Sequence, residues 1–327
     1  MDVDIVVVHY NYGHYLPEAM DGIAIQTRKP TKVIVQDDKS PKHSLEDLEE
    51  ILKPYPWAEL RRNEENLGIV GNLRAGFFDG PVTSEAYMLH SADDYLIDPD
   101  FLEDAVKILE ENPEIVLVFG QLNCVDAQNR PRPTSSGLAR RQHVDADGPW
   151  SRIKGEDLRR ELSYENTVPA ICNVIRSNVH SREFPPLPIE NPHCHDWQQW
   201  YMLTFHGDAA RINRPVITYR WHEESLSAGF DKRDEEAALI ELCYEQLLAR
   251  PEVSEEDRRH LRIGRLRKRL RSKSMGGFIK AALPALFGEG GWPLVKEEFF
   301  RRCERRSKVL HERARKRFLK DNAGISW

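Results

Sequence analysis

Three short apolar runs, Val3–His9, Lys32–Gln36 and Glu85–His90, each stop at polar side chains and are separated by stretches with helical spacing. This alternation constrains the fold more than any other feature. Short apolar runs alternating with helices of about ten residues predict a parallel sheet with helices on both faces. The carboxyl ends of such strands share one edge, and open α/β folds bind ligands there. The runs lead into His9-Tyr10-Asn11-Tyr12, Asp37-Asp38 and, past Ser91-Ala92, Asp93-Asp94. These groups are therefore expected to converge. A strand that ends in paired carboxylates suits a hard divalent cation, because Mg²⁺ and Mn²⁺ bridge carboxylate and phosphate oxygens. The competing reading makes Asp37-Asp38, and Asp94 or Asp98, caps of the helices that follow.

Helices are predicted over Leu16–Gln26, Ser44–Leu52, Gly68–Phe78 and Asp100–Glu111, with further strands at Ala58–Arg61 and Ile115–Phe119. Residues 121–153 are polar and rich in Pro, Gly, Arg and Asp, which predicts a long loop. A helix (Gly155–Leu162), a strand (Ala170–Ile175), an aromatic helix (His195–Phe205) and a strand (Val216–Trp221) follow. From Asp231 onward the pattern is all helical. The expected division is therefore an α/β domain over 1–230 and a helical region over 231–327.

The 327 residues are 40% hydrophobic and 31% charged, which suits a globular chain with a large core. No apolar stretch is long enough to span a bilayer, and the first apolar run is too short for a signal peptide. Five scattered cysteines without a CxxC pair suit a reducing cytoplasm. The net charge of −6 is unevenly distributed: residues 251–327 carry 21 Lys and Arg against 10 Asp and Glu. Arg258 to Lys273 is densely basic, with Leu261, Ile263, Leu266 and Leu270 near helical spacing. Such a helix suits an anionic membrane surface, a homo-oligomer interface or packing on the first domain. No nucleic-acid recognition motif accompanies the charge, so nucleic acid is not an expected partner. His193-Cys194-His195 lacks the second cluster a tetrahedral zinc site needs, and a helix start is the better reading.

Several segments, in order, resemble family 2 glycosyltransferases of GT-A fold, over roughly Val3 to Ser227. Asp4-Ile-Val-Val-Val-His-Tyr-Asn11 is similar to the opening strand, and Tyr15-Leu-Pro-Glu-Ala19 with Gln26-Thr27 to the first helix. Val33-Ile-Val-Gln-Asp-Asp-Lys-Ser40 resembles the second strand, and Asn66-Leu-Gly68 the Asn-x-Gly turn. Ser91-Ala-Asp-Asp94 falls at the metal motif, His195-Asp196-Trp197 at the acidic pair holding the base, and Tyr219-Arg-Trp-His222 at the closing segment. The resemblance implies a GT-A type, Rossmann-like, mostly parallel sheet flanked by helices, here followed by an all-helical extension.

It also implies roles. Asp38, helped by Asp37, would contact the nucleotide base, framed by Tyr10 and Asn11, with Asn66 and Arg74 nearby. Asp93, beside Asp94 and with His222, would hold Mn²⁺ or Mg²⁺ and the donor diphosphate. Asp196 would be the general base on an acceptor hydroxyl, with Trp197 and His195 at the acceptor. The implied reaction is inverting transfer from a nucleotide-sugar, most simply a UDP-sugar, to a glycan, lipid-linked glycan or protein acceptor. Its expected setting is bacterial surface glycan or glycoconjugate synthesis, cytoplasmic, with a peripheral membrane association through 254–320. Ser91 stands where the family often has Asp, and His195 replaces one acid of the pair. A catalytically silent GT-A scaffold and a nucleotidyltransferase are the alternatives. The second would carry a glycine-rich phosphate loop after the first strand, which His9-Tyr-Asn-Tyr12 does not.

Overall fold

The structure is a computed structural model that describes residues 1–77, 82–132, 148–179, 195–225, 233–270, 292–293 and 295–296. It divides into two compact units, Met1–Leu247 and Leu248–Trp327. The division expected after residue 230 lies outside the described residues, as does most of the basic region beyond Leu270.

The first unit begins with β1 (Val3–His9), α1 (Leu16–Ala24), β2 (Lys32–Asp37), α2 (Leu45–Leu52), β3 (Ala58–Arg62), α3 (Gly68–Phe77) and β4 (Ala86–Ser91). Next come β5 (Tyr95–Leu96), α4 (Phe101–Glu111), β6 (Ile115–Asp126), β7 (Trp150–Ile153), α5 (Gly155–Leu162), β8 (Asn173–Arg176), α6 (His195–Leu203) and β9 (Asp208–Trp221). Two helices follow, α7 (Arg233–Ala249) and α8 (Glu255–Leu270).

Among the described residues the strands form one sheet in the order β3-β2-β1-β4-β8-β6-β9-β5, with β7 paired to β9. β1 is parallel to both β2 and β4, and β2 to β3. Every residue of β1 is buried, as expected of a central strand covered on both faces. Val3, Ile5 and Val7 join Leu16, Met20 and Leu48 in the main core. On the other face Val6 meets the backbone of α3 at Gly76, where an added Cβ would lie 2.8 Å from Val6 Cγ1.

The structure adds the unpredicted β5, starts β9 at Asp208 rather than Val216, and departs from the predicted pattern in two further places. The strand predicted over Ala170–Ile175 is β8, and it runs antiparallel between β4 and β6. Apolar patterning carries no strand direction. The loop predicted over 121–153 is partly sheet: β6 continues to Asp126 in parallel register with β9, and β7 pairs with β9. The ladder supplies the hydrogen bonds that this polar composition does not advertise.

The capping alternatives are also resolved. α2 is capped by Ser44, whose Oγ accepts from Asp47 N–H at 3.1 Å while Asp47 Oδ2 accepts from Ser44 N–H at 2.8 Å. Asp94 is followed by β5, and α4 starts later, after Asp100. Neither pair of carboxylates is consumed as a helix cap.

In the second unit Ser254 Oγ accepts from Asp257 N–H at 3.1 Å at the start of α8, and Arg267, Lys268 and Arg269 sit in its last turn. Acids first and bases last complement the helix dipole. Among the described residues no helix is long and apolar enough to cross a membrane.

Candidate active site

The ends of β1 and β2 are locked together by side chains. Asp37 is fully buried; its Oδ1 lies 2.8 Å from His9 Nδ1, and its Oδ2 accepts from Ser40 N–H at 3.2 Å and faces Arg62 Nε at 3.3 Å. Burial opposes its ionisation, but the hydrogen bonds from His9 and Ser40 outweigh that and hold its pKa below the usual value. Asp37 therefore buttresses the loop. Asn11 adopts φ 65° and bridges the same loops: its N–H donates to Ser40 Oγ at 2.8 Å and its Oδ1 accepts from Lys42 N–H at 3.1 Å. Asp38 is buried as well, 3% exposed. Its Oδ1 accepts from Asn63 Nδ2 and Leu67 N–H, both at 2.8 Å; the side chains of Leu67 and Tyr10 are exposed. Asn66 is exposed, and its Oδ1 accepts from Gly68 N–H at 3.1 Å, shaping the turn that presents Leu67. Arg74, half-buried on α3, has no hydrogen bond or ion pair among the described residues.

The ends of β4 and β9 form a second pair. Asp93 Oδ2 lies 3.1 Å from His222 Nε2, while Ser91 Oγ donates to Asp93 Oδ1. Ser91 thus orients the carboxylate in a position where the family often has a second acid. The His222 ring is flanked by Tyr12, edge-on at 5.1 Å between centroids, and Tyr15 at 5.2 Å. Burial, reinforced by the charge of Asp93, raises the Tyr12 pKa, so its hydroxyl stays protonated and donates to the Glu224 carbonyl at 2.9 Å. Asp94 is turned inward. Its Oδ1 accepts from Arg220 N–H at 2.8 Å, and burial with the nearby charge of Asp93 pushes its pKa well up. It was expected beside Asp93 as a metal ligand; the geometry makes it the clasp that fixes β9 against the turn. A cleft of about 290 Å³ opens beside His222, lined also by Asn11, His14, Tyr15, Lys42 and His43.

Asp196 sits in the first turn of α6, and its Oδ2 accepts from Asn166 Nδ2 at 2.8 Å. Trp197 follows it into the core, 4% exposed, with its indole N–H donating to the Leu162 carbonyl at 2.7 Å and its ring edge-on to Tyr244. Trp197 was expected at the acceptor; its ring is buried and bonded on its polar edge, the surroundings of a packing residue. The His195 side chain lies outside the described residues, so its expected acceptor contact does too.

The profile described as Glycosyl transferase family 2 matches residues 4–184, more than half of the chain. The chain belongs to this family. An uncharacterised glycosyltransferase of Haemophilus influenzae is 24% identical over 236 residues, covering 72% of this chain and 70% of the relative. An uncharacterised protein of Mycobacterium tuberculosis is 28% identical over 244 residues, covering 71% of this chain but 62% of the relative, so this chain spans less than two thirds of that protein. Among solved structures, S. aureus TarS 1–349 in complex with UDP-GlcNAc superposes with a TM-score of 0.64 at 15% identity, over 91% of this chain and 79% of that one. The mannosyltransferase PcManGT from Pyrobaculum calidifontis, in complex with GDP-Man and Mn²⁺, gives 0.53 at 14% identity, over 91% and 84%. These likenesses establish the GT-A fold.

For this glycosyltransferase, the structure brings Asp93 and His222 into contact and holds Asp38 through Asn63 and Leu67. Three residues without an assigned role in the sequence contribute to the site: Asn63 holds Asp38, Asn166 holds Asp196, and Arg220 anchors β9. The Arg220 guanidinium is 1% exposed, pairs with Glu18, donates to Asn129 Oδ1 at 2.9 Å and lies 4.2 Å over the Tyr15 ring. Asparagines in turns have no periodic signature, and Arg220 is recognisable only through its place between Tyr219 and His222.

Proposed function

We propose that the chain transfers a sugar from a nucleoside-diphosphate donor, a UDP-sugar by preference, to a hydroxyl acceptor with inversion at the anomeric carbon. The observation that carries this reading is the 3.1 Å contact between Asp93 and His222 at the carboxyl edge of the sheet. Among the described residues no three His, Cys, Asp or Glu form a cage for a cation. Two protein donors fit Mn²⁺ or Mg²⁺ nonetheless, since such ions are commonly held by one or two protein groups together with substrate phosphates. When bound, the cation would neutralise charge on the departing diphosphate.

The chain's own residues divide the remaining work. Asp38 accepts from the base. Asp196, kept in one orientation by Asn166, removes the proton from the acceptor hydroxyl as that oxygen attacks the anomeric carbon and the bond to diphosphate breaks. Two TarS structures, in complex with UDP and with UDP-GlcNAc, support the UDP preference. The acceptor is taken to be a glycan, lipid-linked glycan or protein hydroxyl, in bacterial surface glycan or glycoconjugate synthesis. The region 254–320 is assigned to an anionic membrane surface or to self-association. Incubation with a panel of nucleotide-sugars and Mn²⁺ tests the reading: release of UDP is expected, and no nucleotide release from any donor would favour a silent scaffold.

A further inference from the structure

The His222 ring is held by hydrogen bonding on one side only. Its Nε2 lies 3.1 Å from Asp93 Oδ2, and among the described residues no hydrogen bond reaches its Nδ1. Its carbonyl accepts from Ser225 N–H at 3.0 Å and Ser225 Oγ at 2.7 Å, which fixes the turn but leaves the ring to rotate about its own side-chain bonds. Imidazoles that ligate metals are ordinarily oriented by a hydrogen bond on the second nitrogen. Two aromatic rings stand in for that bond here. Tyr12 meets the imidazole at 5.1 Å with an interplanar angle of 83°, and Tyr15 at 5.2 Å and 43°. Tyr12 is pinned through its hydroxyl, which donates to the Glu224 carbonyl at 2.9 Å.

Tyr15 is pinned differently. Its N–H donates to the Tyr12 carbonyl at 2.9 Å, and its own carbonyl accepts from Glu18 N–H at 3.1 Å at the start of α1. Its hydroxyl has no hydrogen bond among the described residues. What holds the ring is Arg220, whose guanidinium lies 4.2 Å from the Tyr15 centroid and 5.3 Å from that of Tyr95. The Arg220 side chain is 1% exposed and pairs with Glu18. It donates to Asn129 Oδ1 at 2.9 Å, while Asn129 Nδ2 donates to Glu18 Oε1 at 3.0 Å and closes the ring of contacts. Nε and Nη1 of Arg220 have no hydrogen-bond partner among the described residues. Burying a cation with two unbonded edges is costly, and attraction to the tyrosine faces offsets part of that cost. Arg220 and Tyr15 therefore fix each other.

We propose that Tyr15, seated on the Arg220 cation, is a positioning residue that holds the His222 ring with Nε2 facing the Asp93 carboxylate. The proposal rests on the reading of Asp93 and His222 as the groups that receive Mn²⁺ or Mg²⁺. A site with only two protein donors depends on both being held in place before the ion arrives. The task belongs to the aromatic ring of Tyr15 and not to its hydroxyl.

Calorimetric titration of the full chain with UDP, with and without saturating Mn²⁺, reads the gain in UDP affinity that the cation confers. That gain is expected to be about 100-fold in wild type, within about 3-fold of that in Tyr15→Phe, and below about 10-fold in Tyr15→Leu. UDP affinity without Mn²⁺ is expected to be the same in all three. A folded Tyr15→Leu that keeps the wild-type gain, or a Tyr15→Phe that loses as much as Tyr15→Leu, would overturn the proposal and leave the metal reading standing. An equal loss of UDP affinity with and without Mn²⁺ in Tyr15→Leu would also overturn it, since the ring would then serve the nucleotide or the fold. If Tyr15→Leu does not fold, Glu18→Ala decides: Glu18 is exposed, and its loss frees Arg220 from its ion pair. A gain reduced at least about 3-fold supports the proposal, and an unchanged gain overturns it. No gain in wild type would overturn the metal reading itself and this proposal with it.

Discussion

Asp93 Oδ2 meets His222 Nε2 at 3.1 Å although 129 residues separate them. The contact depends on the sheet: β5 and β6 both pair with β9, and Asp94 accepts from the Arg220 backbone two residues before His222. Much of the polar edge holds a few side chains still: Asp37, Asn11, Asn63, Asn166 and Asp94 are engaged with other parts of the chain and fix the loops that carry Asp38, Asp93 and His222.

Asp196→Asn keeps shape and removes basicity. Transfer to an acceptor is expected to fall by about 1000-fold, while UDP affinity changes little. Steady-state kinetics paired with calorimetry checks both halves; undiminished transfer would remove Asp196 as the base.

Trp197→Phe separates packing from acceptor recognition. Loss of the indole bond to Leu162 is expected to cost about 1 kcal/mol of stability with no change in acceptor KM. Urea denaturation and acceptor titration measure the two effects, and a KM change at constant stability would restore an acceptor role.

Gly22 lets α1 touch β5, the strand that begins directly after Asp94. An added Cβ would lie 2.6 Å from Leu96 N and 2.8 Å from Leu96 O, both backbone atoms that cannot easily move. Gly22→Ala is expected to destabilise the first unit by about 2 kcal/mol, despite the better helix propensity of alanine. A denaturant midpoint equal to wild type would show that α1 shifts freely.

His90 on β4 is fully buried, and burial lowers its pKa from 6.5 to about 4. Below pH 6.5 the unfolded chain takes up a proton that the folded chain refuses until about pH 4. Stability should therefore fall as pH drops through that window, by roughly 3 kcal/mol in total from this group. His90→Leu should flatten the dependence in thermal melts between pH 7 and pH 4.5; an unchanged slope would assign the acid sensitivity to other groups.

Much of the fold could be read from the chain because β1, β2 and β4 are short, apolar and separated by amphipathic helices. Each ends at the polar residues that now line one edge. The direction of β8 and the extension of β6 could not be read, since both depend on ladder partners distant in sequence. Within the site, Asp38, Asp93 and His222 stood out as ends of strands. Their supports did not: Asn63 and Asn166 lie in turns without periodicity, and the partners of the buried carboxylates Asp37, Asp38 and Asp94 are brought close only by the fold. Trp197 shows the same limit, since an aromatic beside a candidate base looks alike in sequence whether it lines a cleft or fills a core.

The most direct test is UDP binding with and without Mn²⁺, in wild type and in Asp93→Ala. If Asp93 and His222 hold the cation that receives the donor diphosphate, wild type binds UDP about 100-fold more tightly with Mn²⁺ present, and Asp93→Ala loses that gain while staying folded. UDP affinity that is the same with and without Mn²⁺ in wild type, or a gain that survives in Asp93→Ala, would contradict the account.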